Sequence, residues 1–324
     1  MRRISFAQAV REALAGEMRR DGDVFLMGED IGAYGGAFGV TQGLLAEFGP
    51  ERVRDTPIAE AAIAGAAVGA AVAGMRPVAE IMFSDFMTIS MDALVNQAAK
   101  LHYMFGQRVP LVMRASSGSG TGAACQHSQS LEAWFCHVPG LKVVMPSTPY
   151  DAKGLLTAAI RDDNPVVFLE AKRLYDTEGD VPEQSYALPL GQADIKRSGN
   201  DVTLICYGAM VPRCLEAAHT LAREGVDAEV VDPRTLSPLD MDTLVASVKK
   251  TGRALVVHEA CRTAGLGAEI AAGIAGSEAF SHLKAPVMRL GGADAPVPFS
   301  PGLEEDAVPA QRAVEEALRM LMRA

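Results

Sequence analysis

The chain has 324 residues, 49% hydrophobic and 22% charged, with a formal net charge of -10. That size and apolar content predict two folded domains and exclude a disordered chain. Acidic and basic residues spread along the whole length exclude nucleic acid as the natural partner, because phosphate binding asks for a basic face.

In chain order, "MRRISFAQAV" meets Gln8, Arg11 and Glu12 before an apolar core of signal-peptide length accumulates, so no secretory signal is read. Five scattered cysteines make no disulfide framework and fit a reducing compartment, taken here as the cytoplasm. Short β-rich runs follow: "VFLM" at 24, "RPVAEIMF" at 76, "VPLVMR" at 109, "LKVVMP" at 141 and "PVVFLEA" at 165. Helical patterns lie between them at 41–48, 59–75, 85–104, 130–136 and 150–161. This alternation predicts an α/β fold with a largely parallel sheet covered by helices on both faces. The small-residue run 61–75 is too short and too rich in Ala and Gly to favour a membrane span, and reads as a buried helix that lets another backbone come close. Charged, Gly and Pro residues break the pattern between 172 and 200, which sets the expected organisation: a first domain over 1–175, a connection over 176–199 and a second domain over 200–324. In the second domain the rhythm resumes with "DVTLICYG", "DAEVVDPRTL", "RALVVHEA" and "PVMRLGG", and a last helix is expected over 309–322.

Four residues in "ACQHSQSLEAWFCHVPG" invite a metal or thiol reading: Cys125, His127, Cys136 and His137. Their spacing does not follow C-x2-4-C, and the adjacent Cys136 and His137 would have trouble aiming at one ion. Neither cysteine sits in a nucleophile signature, so both read as packing residues. His127 differs, because it ends a loop with Gly118, Gly120 and Gly122 that bends freely and lets a ligand approach the backbone. A loop histidine that only satisfies local backbone groups is the alternative. Glu60 stands at the first turn of the most apolar helix, where an acid favours the helix terminus and Asp55, Thr56 and Pro57 mark a start. It could equally be a largely buried carboxylate of raised proton affinity, suited to a protonatable ring nitrogen. The glycines at 32, 35, 36, 39 and 43 miss the G-x-G-x-x-G register, which disfavours a dinucleotide-dependent oxidoreductase. His258 and Glu259 end a strand, where open α/β sheets gather ligands, or where a turn merely orders the next helix.

Taken together, "MGEDIGAYGGAFGVTQGL", "GPERVRDTPIAEAAIAG", "RPVAEIMFSDF", "QHSQSLEAWFCHVPGLKVVMPSTPYDAKGLL" and "IRDDNPVVFLEAKRLY" resemble the beta subunits of thiamine-diphosphate-dependent first components of 2-oxo acid dehydrogenase complexes. "YGAMV", "VVDPRTLSPLD" and "HEACRTAGLGAEI" fit the second domain of that family, so the resemblance runs from Phe25 to the carboxyl terminus. It implies a transketolase-like pyrimidine-binding domain followed by a transketolase C-terminal-like domain. Within the family, "FMTISMDALVNQAAK" and "SGTGAACQHSQSLEAWF" look most like acetoin dehydrogenases, with pyruvate and branched-chain 2-oxo acid dehydrogenases as close alternatives.

The resemblance also implies partners and roles. A separate alpha subunit would hold magnesium and the diphosphate through a Gly-Asp-Gly motif that this chain lacks, giving an alpha2-beta2 heterotetramer that serves a lipoyl-bearing acyltransferase core. Glu60 matches the glutamate that hydrogen bonds the pyrimidine nitrogen, favouring the imino form whose neighbouring nitrogen removes the thiazolium C2 proton. Phe86 would pack on the pyrimidine, and His127 matches the histidine facing the substrate or the incoming lipoyl group. Backbone oxygens of Leu111, Val112, Ala159, Asp162 and Asn164 match a potassium site of related enzymes. A reading from another class is a non-catalytic α/β binding module, with Glu60 only capping a helix and His127 only ordering a loop.

Overall fold

Sequence patterning starts regular structure at residue 24, whereas a computed structural model, which describes residues 1–324, starts it at Arg2. Strand β1 (Arg2–Ser5) leads into helix α1 (Phe6–Arg20), and the junction is a capping box: Ser5 Oγ accepts from Gln8 N–H, and the Gln8 side chain accepts from Ser5 N–H. Reciprocal satisfaction of two orphan donors makes this a strong helix start. The helix buries Phe6, Val10, Leu14 and Met18 on one face, at i, i+4, i+8 and i+12.

The chain divides into two units. The first comprises Met1–Ser117 and Trp134–Leu190, and the second comprises Gly118–Ala133 and Gly191–Ala324. In the first unit, β2 (Val24–Gly28) precedes α2 (Leu44–Phe48), β3 (Val53–Asp55), α3 (Glu60–Val72) and β4 (Arg76–Phe83). Helix α4 (Ala99–Phe105) and β5 (Val112–Ser117) follow; the five-residue helix α5 (Glu132–Cys136) then leads into β6 (Lys142–Val144), α6 (Pro149–Arg161), β7 (Val166–Ala171) and β8 (Glu178–Val181). Strands pair in parallel in the order β6-β7-β5-β4-β2-β3, with Val78 opposite Val112 and Val112 opposite Val166. Strands β2, β5 and β7 are buried at every residue, which explains the apolar runs of β2 and of the first four residues of β7: a parallel sheet covered on both faces favours apolar side chains on either side.

Arg114 on β5 and Glu170 on β7 are buried charges inside that sheet. Arg114 Nη1 donates to Glu80 Oε2 at 2.6 Å, its Nε and Nη2 donate to the two oxygens of Glu170 at 2.7 and 2.9 Å, and Tyr175 donates to Glu170 at 3.0 Å. Burial raises the proton affinity of Glu80, against the nearby Arg114 charge.

Two expectations change here. The stretch 85–104 is not one α-helix: a 3-10 turn (Ser84–Ser90) and a π-helical segment (Asp92–Ala98) precede α4. Thr88 and Ser90 turn their hydroxyls onto main-chain carbonyls, of Asp85 and Glu60 respectively, in competition with the α-ladder. The stretch 176–199 carries two strands, β8 pairing antiparallel with β1, and β9 (Asp194–Arg197) opening the second unit.

In the second unit the elements after β9 are β10 (Val202–Cys206), α7 (Met210–Ala222), β11 (Ala228–Asp232), β12 (Thr235–Ser237), α8 (Met241–Thr251), β13 (Ala254–Cys261), α9 (Leu266–Ala275), β14 (Met288–Gly292), α10 (Pro301–Asp306) and α11 (Gln311–Arg323). The sheet order is β14-β13-β10-β11-β9, parallel except for β9. Leu204, Ile205, Val230 and Val256 fill its interior. No helix in the chain is long and apolar enough to cross a membrane.

Candidate active site

Glu60 is the first residue of α3 and is only 8% exposed. The helix start is not side-chain capped: the residue before it, Ala59, makes no capping bond, and Asp55 instead accepts the N–H of Gly32 at 2.6 Å. The reading of Asp55 as part of a helix start is therefore corrected, because the Gly32 loop claims its carboxylate. A Cβ at Gly32 would lie 2.5 Å from Asp55 Oδ2, so glycine is required there for this approach. Ser90 Oγ donates to the Glu60 carbonyl at 2.8 Å, fastening the helix start to the 3-10 turn.

A second carboxylate, which the sequence reading did not single out, accompanies Glu60. Glu29, immediately after β2, is 7% exposed, and its Oε1 is buried without a hydrogen-bond partner. Burial first, then the negative charge of Glu60, raise its proton affinity. An orphaned carboxylate oxygen beside a buried glutamate suits a protonatable nitrogen heterocycle, so these residues fit the pyrimidine of thiamine diphosphate. The available signal was positional: "GED" ends a central parallel strand at its carboxyl end, where such sheets collect ligands.

Phe86 sits half-buried on the 3-10 turn, at the end of an aromatic series. Its ring meets Phe83 edge-on at 6.2 Å, Phe83 meets Phe38 at 6.2 Å, and Phe38 stacks on Tyr175 at 4.7 Å. The five residues matched to a potassium site also lie in this unit. Leu111 O accepts from Val166 N–H at 2.8 Å, Ala159 O from Asp162 N–H at 3.2 Å, and Asp162 O from Arg76 at 3.1 Å. Asp162 Oδ1 accepts from Asn164 N–H and side-chain amide, and Oδ2 from Lys142. Val112 begins β5. Burial alone would raise the Asp162 proton affinity, but these donors lower it on balance.

His127 belongs to the second unit, in a loop built on two carboxylates. Glu259 Oε1 accepts from both the N–H and the hydroxyl of Ser119 at 2.6 Å. Glu304 accepts from the N–H groups of Gly120 and Gly122 at 2.9 and 3.1 Å. Gly118 is left-handed at φ +83°, and a Cβ there would stand 2.8 Å from Glu259 Oε1, so that glycine permits the close approach. His127, half-buried, donates its N–H to Ala124 O at 3.3 Å. Glu259 thus organises the histidine loop, a role between the two readings of it from sequence.

His258 is packed within the same unit. It is fully buried against Gly265, Gly267 and Gly291, its Nδ1 lies 3.0 Å from Ala260 O, and burial pushes its pKa down to about 4. Glu132 is also buried, accepts from Tyr207 OH at 2.9 Å, leaves Oε2 unpaired, and is pushed up to about 7 by burial. Cys125 and His137 are exposed and Cys136 half-buried, so the packing role read for Cys125 does not hold: the loop turns its thiol outward. No group of three or more His, Cys, Asp or Glu residues is arranged to hold a metal.

Two α/β units, the first presenting paired buried carboxylates and the second a carboxylate-braced histidine loop, define a transketolase-like protein. Residues 2–178 match the transketolase pyrimidine binding domain and residues 191–314 the transketolase C-terminal domain. The fold is similar to a split-gene transketolase solved as an inactive beta4 tetramer, with a TM-score of 0.82 at 23% identity over 99% of this chain and 98% of that one. The chain is 51% identical to the beta subunit of acetoin:2,6-dichlorophenolindophenol oxidoreductase of Cupriavidus necator, over 99% of this chain and 98% of that protein. It is 48% identical to the pyruvate dehydrogenase E1 component subunit beta of Rickettsia felis, over 98% and 97%, and 46% identical to the 2-oxoisovalerate dehydrogenase subunit beta of Bacillus subtilis, over 98% of each. The chain belongs to the family of beta subunits of thiamine-diphosphate-dependent first components of 2-oxo acid dehydrogenase complexes.

Proposed function

We propose that the chain is the beta subunit of an acetoin-cleaving enzyme that passes the acetyl unit to a lipoyl group and releases acetaldehyde. The observation that carries a catalytic reading is the buried pair of Glu60 and the orphaned Glu29, which suits a bound nitrogen heterocycle and no evident structural need. The acetoin assignment is supported by the 51% relative in Cupriavidus necator and by a second, 49% identical, in Bacillus subtilis. Oxidative decarboxylation of pyruvate or a branched 2-oxo acid is the second reading, favoured by relatives at 48% and 46%.

Thiamine diphosphate, when bound, would supply the nucleophilic carbon that attacks the substrate carbonyl. Glu60 would hold a proton at the pyrimidine nitrogen, Glu29 would add a second buried carboxylate whose proton affinity is raised, and Phe86 would pack on the ring. His127 would donate a proton as the acyl group moves to the lipoyl sulfur. We assign magnesium mainly to an alpha subunit in an alpha2-beta2 assembly, potassium to the backbone around Leu111, Val112, Ala159, Asp162 and Asn164, and the working compartment to the cytoplasm. The domain limits proposed are 1–175 and 200–324, joined through 176–199.

The test is co-expression with the alpha subunit, addition of thiamine diphosphate and magnesium, and comparison of acetoin, pyruvate and branched 2-oxo acids with an artificial electron acceptor. Turnover of acetoin is expected, and turnover of pyruvate without acetoin overturns the substrate assignment. Absence of magnesium-dependent thiamine diphosphate binding by the assembly would instead favour a non-catalytic module.

A further inference from the structure

The carboxyl edge of the first unit's parallel sheet brings two segments together. Strand β4 ends at Phe83, β7 ends at Ala171, and both flank β5, so the residues that leave them stand on one edge, where such sheets collect ligands. Lys172, the first residue after β7, opens a 3-10 turn (Lys172–Leu174) and is 6% exposed. Its Nζ lies 5.2 Å from the centroid of the Phe83 ring, a cation–π distance.

That ring is the joint of the aromatic series. Phe83 meets Phe86 at an interplanar angle of 79° and Phe38 at 85°, so the plane of Phe83 sets the contact each neighbour makes. Tyr175, which closes the turn that Lys172 opens, stacks on Phe38 at 21°. The turn after β7 therefore holds the series at two points, with an ammonium on Phe83 and a phenol ring on Phe38. Tyr175 is itself fixed, because its hydroxyl donates to Glu170 beside Arg114. A lysine this deeply buried gives up most of its hydration, and a cation over an aromatic face is held more strongly where water is excluded.

We propose that Lys172 is a positioning residue for the pyrimidine of thiamine diphosphate, its ammonium fixing the plane of Phe83 and, through that ring, the seat of Phe86. The proposal rests on the reading that Phe86 packs on the pyrimidine. In this role Lys172 acts through the ring, so its loss falls on cofactor affinity and not on recognition of the acyl substrate.

The experiment is titration calorimetry of thiamine diphosphate, at fixed magnesium, on the assembled alpha–beta enzyme freed of cofactor, with kcat and KM read in parallel. Lys172→Met should retain assembly and weaken cofactor binding about ten-fold with the substrate KM unchanged, and Lys172→Arg, which keeps a cation over the ring, should recover most of that loss. In a Phe83→Leu background, which removes the aromatic face, Lys172→Met should cost about two-fold at most, and this coupling separates the ring from every other contact of the lysine. Equal losses in both backgrounds, Lys172→Arg as weak as Lys172→Met, or unchanged affinity in Lys172→Met overturns the proposal. Where Lys172→Met does not assemble, Phe83→Leu alone decides: a comparable loss is expected, and unchanged affinity overturns. Phe86→Ala separates the proposal from its premise. Parent-like cofactor binding in Phe86→Ala overturns both, whereas weak binding there beside normal binding in Lys172→Met overturns the role of Lys172 alone.

Discussion

Ser90 Oγ donates a 2.8 Å hydrogen bond to the main-chain carbonyl of Glu60, so the residue that opens α3 is tied to the turn that carries Phe86. Both partners are buried, so water cannot replace the bond. Ser90→Ala should cost about 1 kcal/mol of stability and lower kcat several-fold in the assembled enzyme, with the fold retained. Unchanged kcat alongside the stability loss would show that the bond serves packing alone.

Glu60→Gln should preserve assembly and reduce turnover by roughly 10²–10⁴-fold, because the amide cannot carry a carboxylate's charge opposite a ring nitrogen. Glu29→Gln removes the group whose proton affinity is raised by burial and by Glu60. Its signature is in the pH profile: a limb titrating above the ordinary carboxylate range should vanish while turnover falls less than in Glu60→Gln. An identical profile in Glu29→Gln and the parent would detach Glu29 from the chemistry.

The loop that carries His127 depends on Glu259, which accepts two hydrogen bonds from Ser119. Glu259→Ala leaves those donors without their acceptor and should raise amide exchange through 118–127 by ten-fold or more, roughly the loss of one charged hydrogen bond. Hydrogen exchange on the purified chain reads this directly, and unchanged protection would mean that Glu304 alone holds the loop.

Arg114→Leu leaves Glu80 and Glu170 buried without their cation, and should destabilise the first unit by roughly 3–5 kcal/mol. Replacing all three members with apolar residues of similar volume should recover much of that loss, because the desolvation cost of the ions disappears with them. Denaturant unfolding distinguishes the outcomes, and a triple variant as unstable as Arg114→Leu would contradict the argument.

Glu132 and His258 pull stability in opposite directions across one pH range. The folded state raises the Glu132 pKa to about 7, so its contribution is complete below the ordinary carboxylate value and is lost as pH climbs toward 7. For His258 the pKa falls to about 4, so its contribution is complete above the ordinary imidazole value and is lost as pH drops toward 4. Each amounts to roughly 3 kcal/mol at most, and the overlap should leave the parent nearly flat from pH 5 to 6.5. Glu132→Gln should uncover a fall on acidification in that window, measured by urea unfolding; a flat profile in the variant would rule out the His258 contribution.

The fold was legible wherever burial is two-sided and local. The runs that became β2, β4, β5 and β7 announce themselves through short clusters of Val, Leu, Ile, Met and Phe, even where Glu80, Arg114 or Glu170 interrupts them. Helix α1 carried a readable stripe in Phe6, Val10, Leu14 and Met18 beside the Ser5–Gln8 reciprocity, but the basic Arg2 and Arg3 just before it direct the reading toward a signal peptide instead. Within the candidate site, Glu60 stood out against its Ala- and Gly-rich helix, but Glu29 did not, because a surface "GED" looks the same as a buried one in sequence. The bracing of the His127 loop was out of reach for a different reason: Ser119 and Glu259 are 140 positions apart, and Gly120 and Glu304 are 184 apart. Only folding brings such partners into one neighbourhood.

That long-range bracing bears on how the protein could be divided. Sixteen residues from the amino-terminal half, Gly118–Ala133, are structurally part of the second unit. A fragment starting at Gly191 would therefore be an incomplete object, with Glu259, Glu304 and Tyr207 stripped of the partners that Ser119, Gly120 and Glu132 provide. Ribosomal synthesis meets the same constraint, since the histidine loop emerges long before the carboxylates that shape it and must wait for nearly the last helix of the chain.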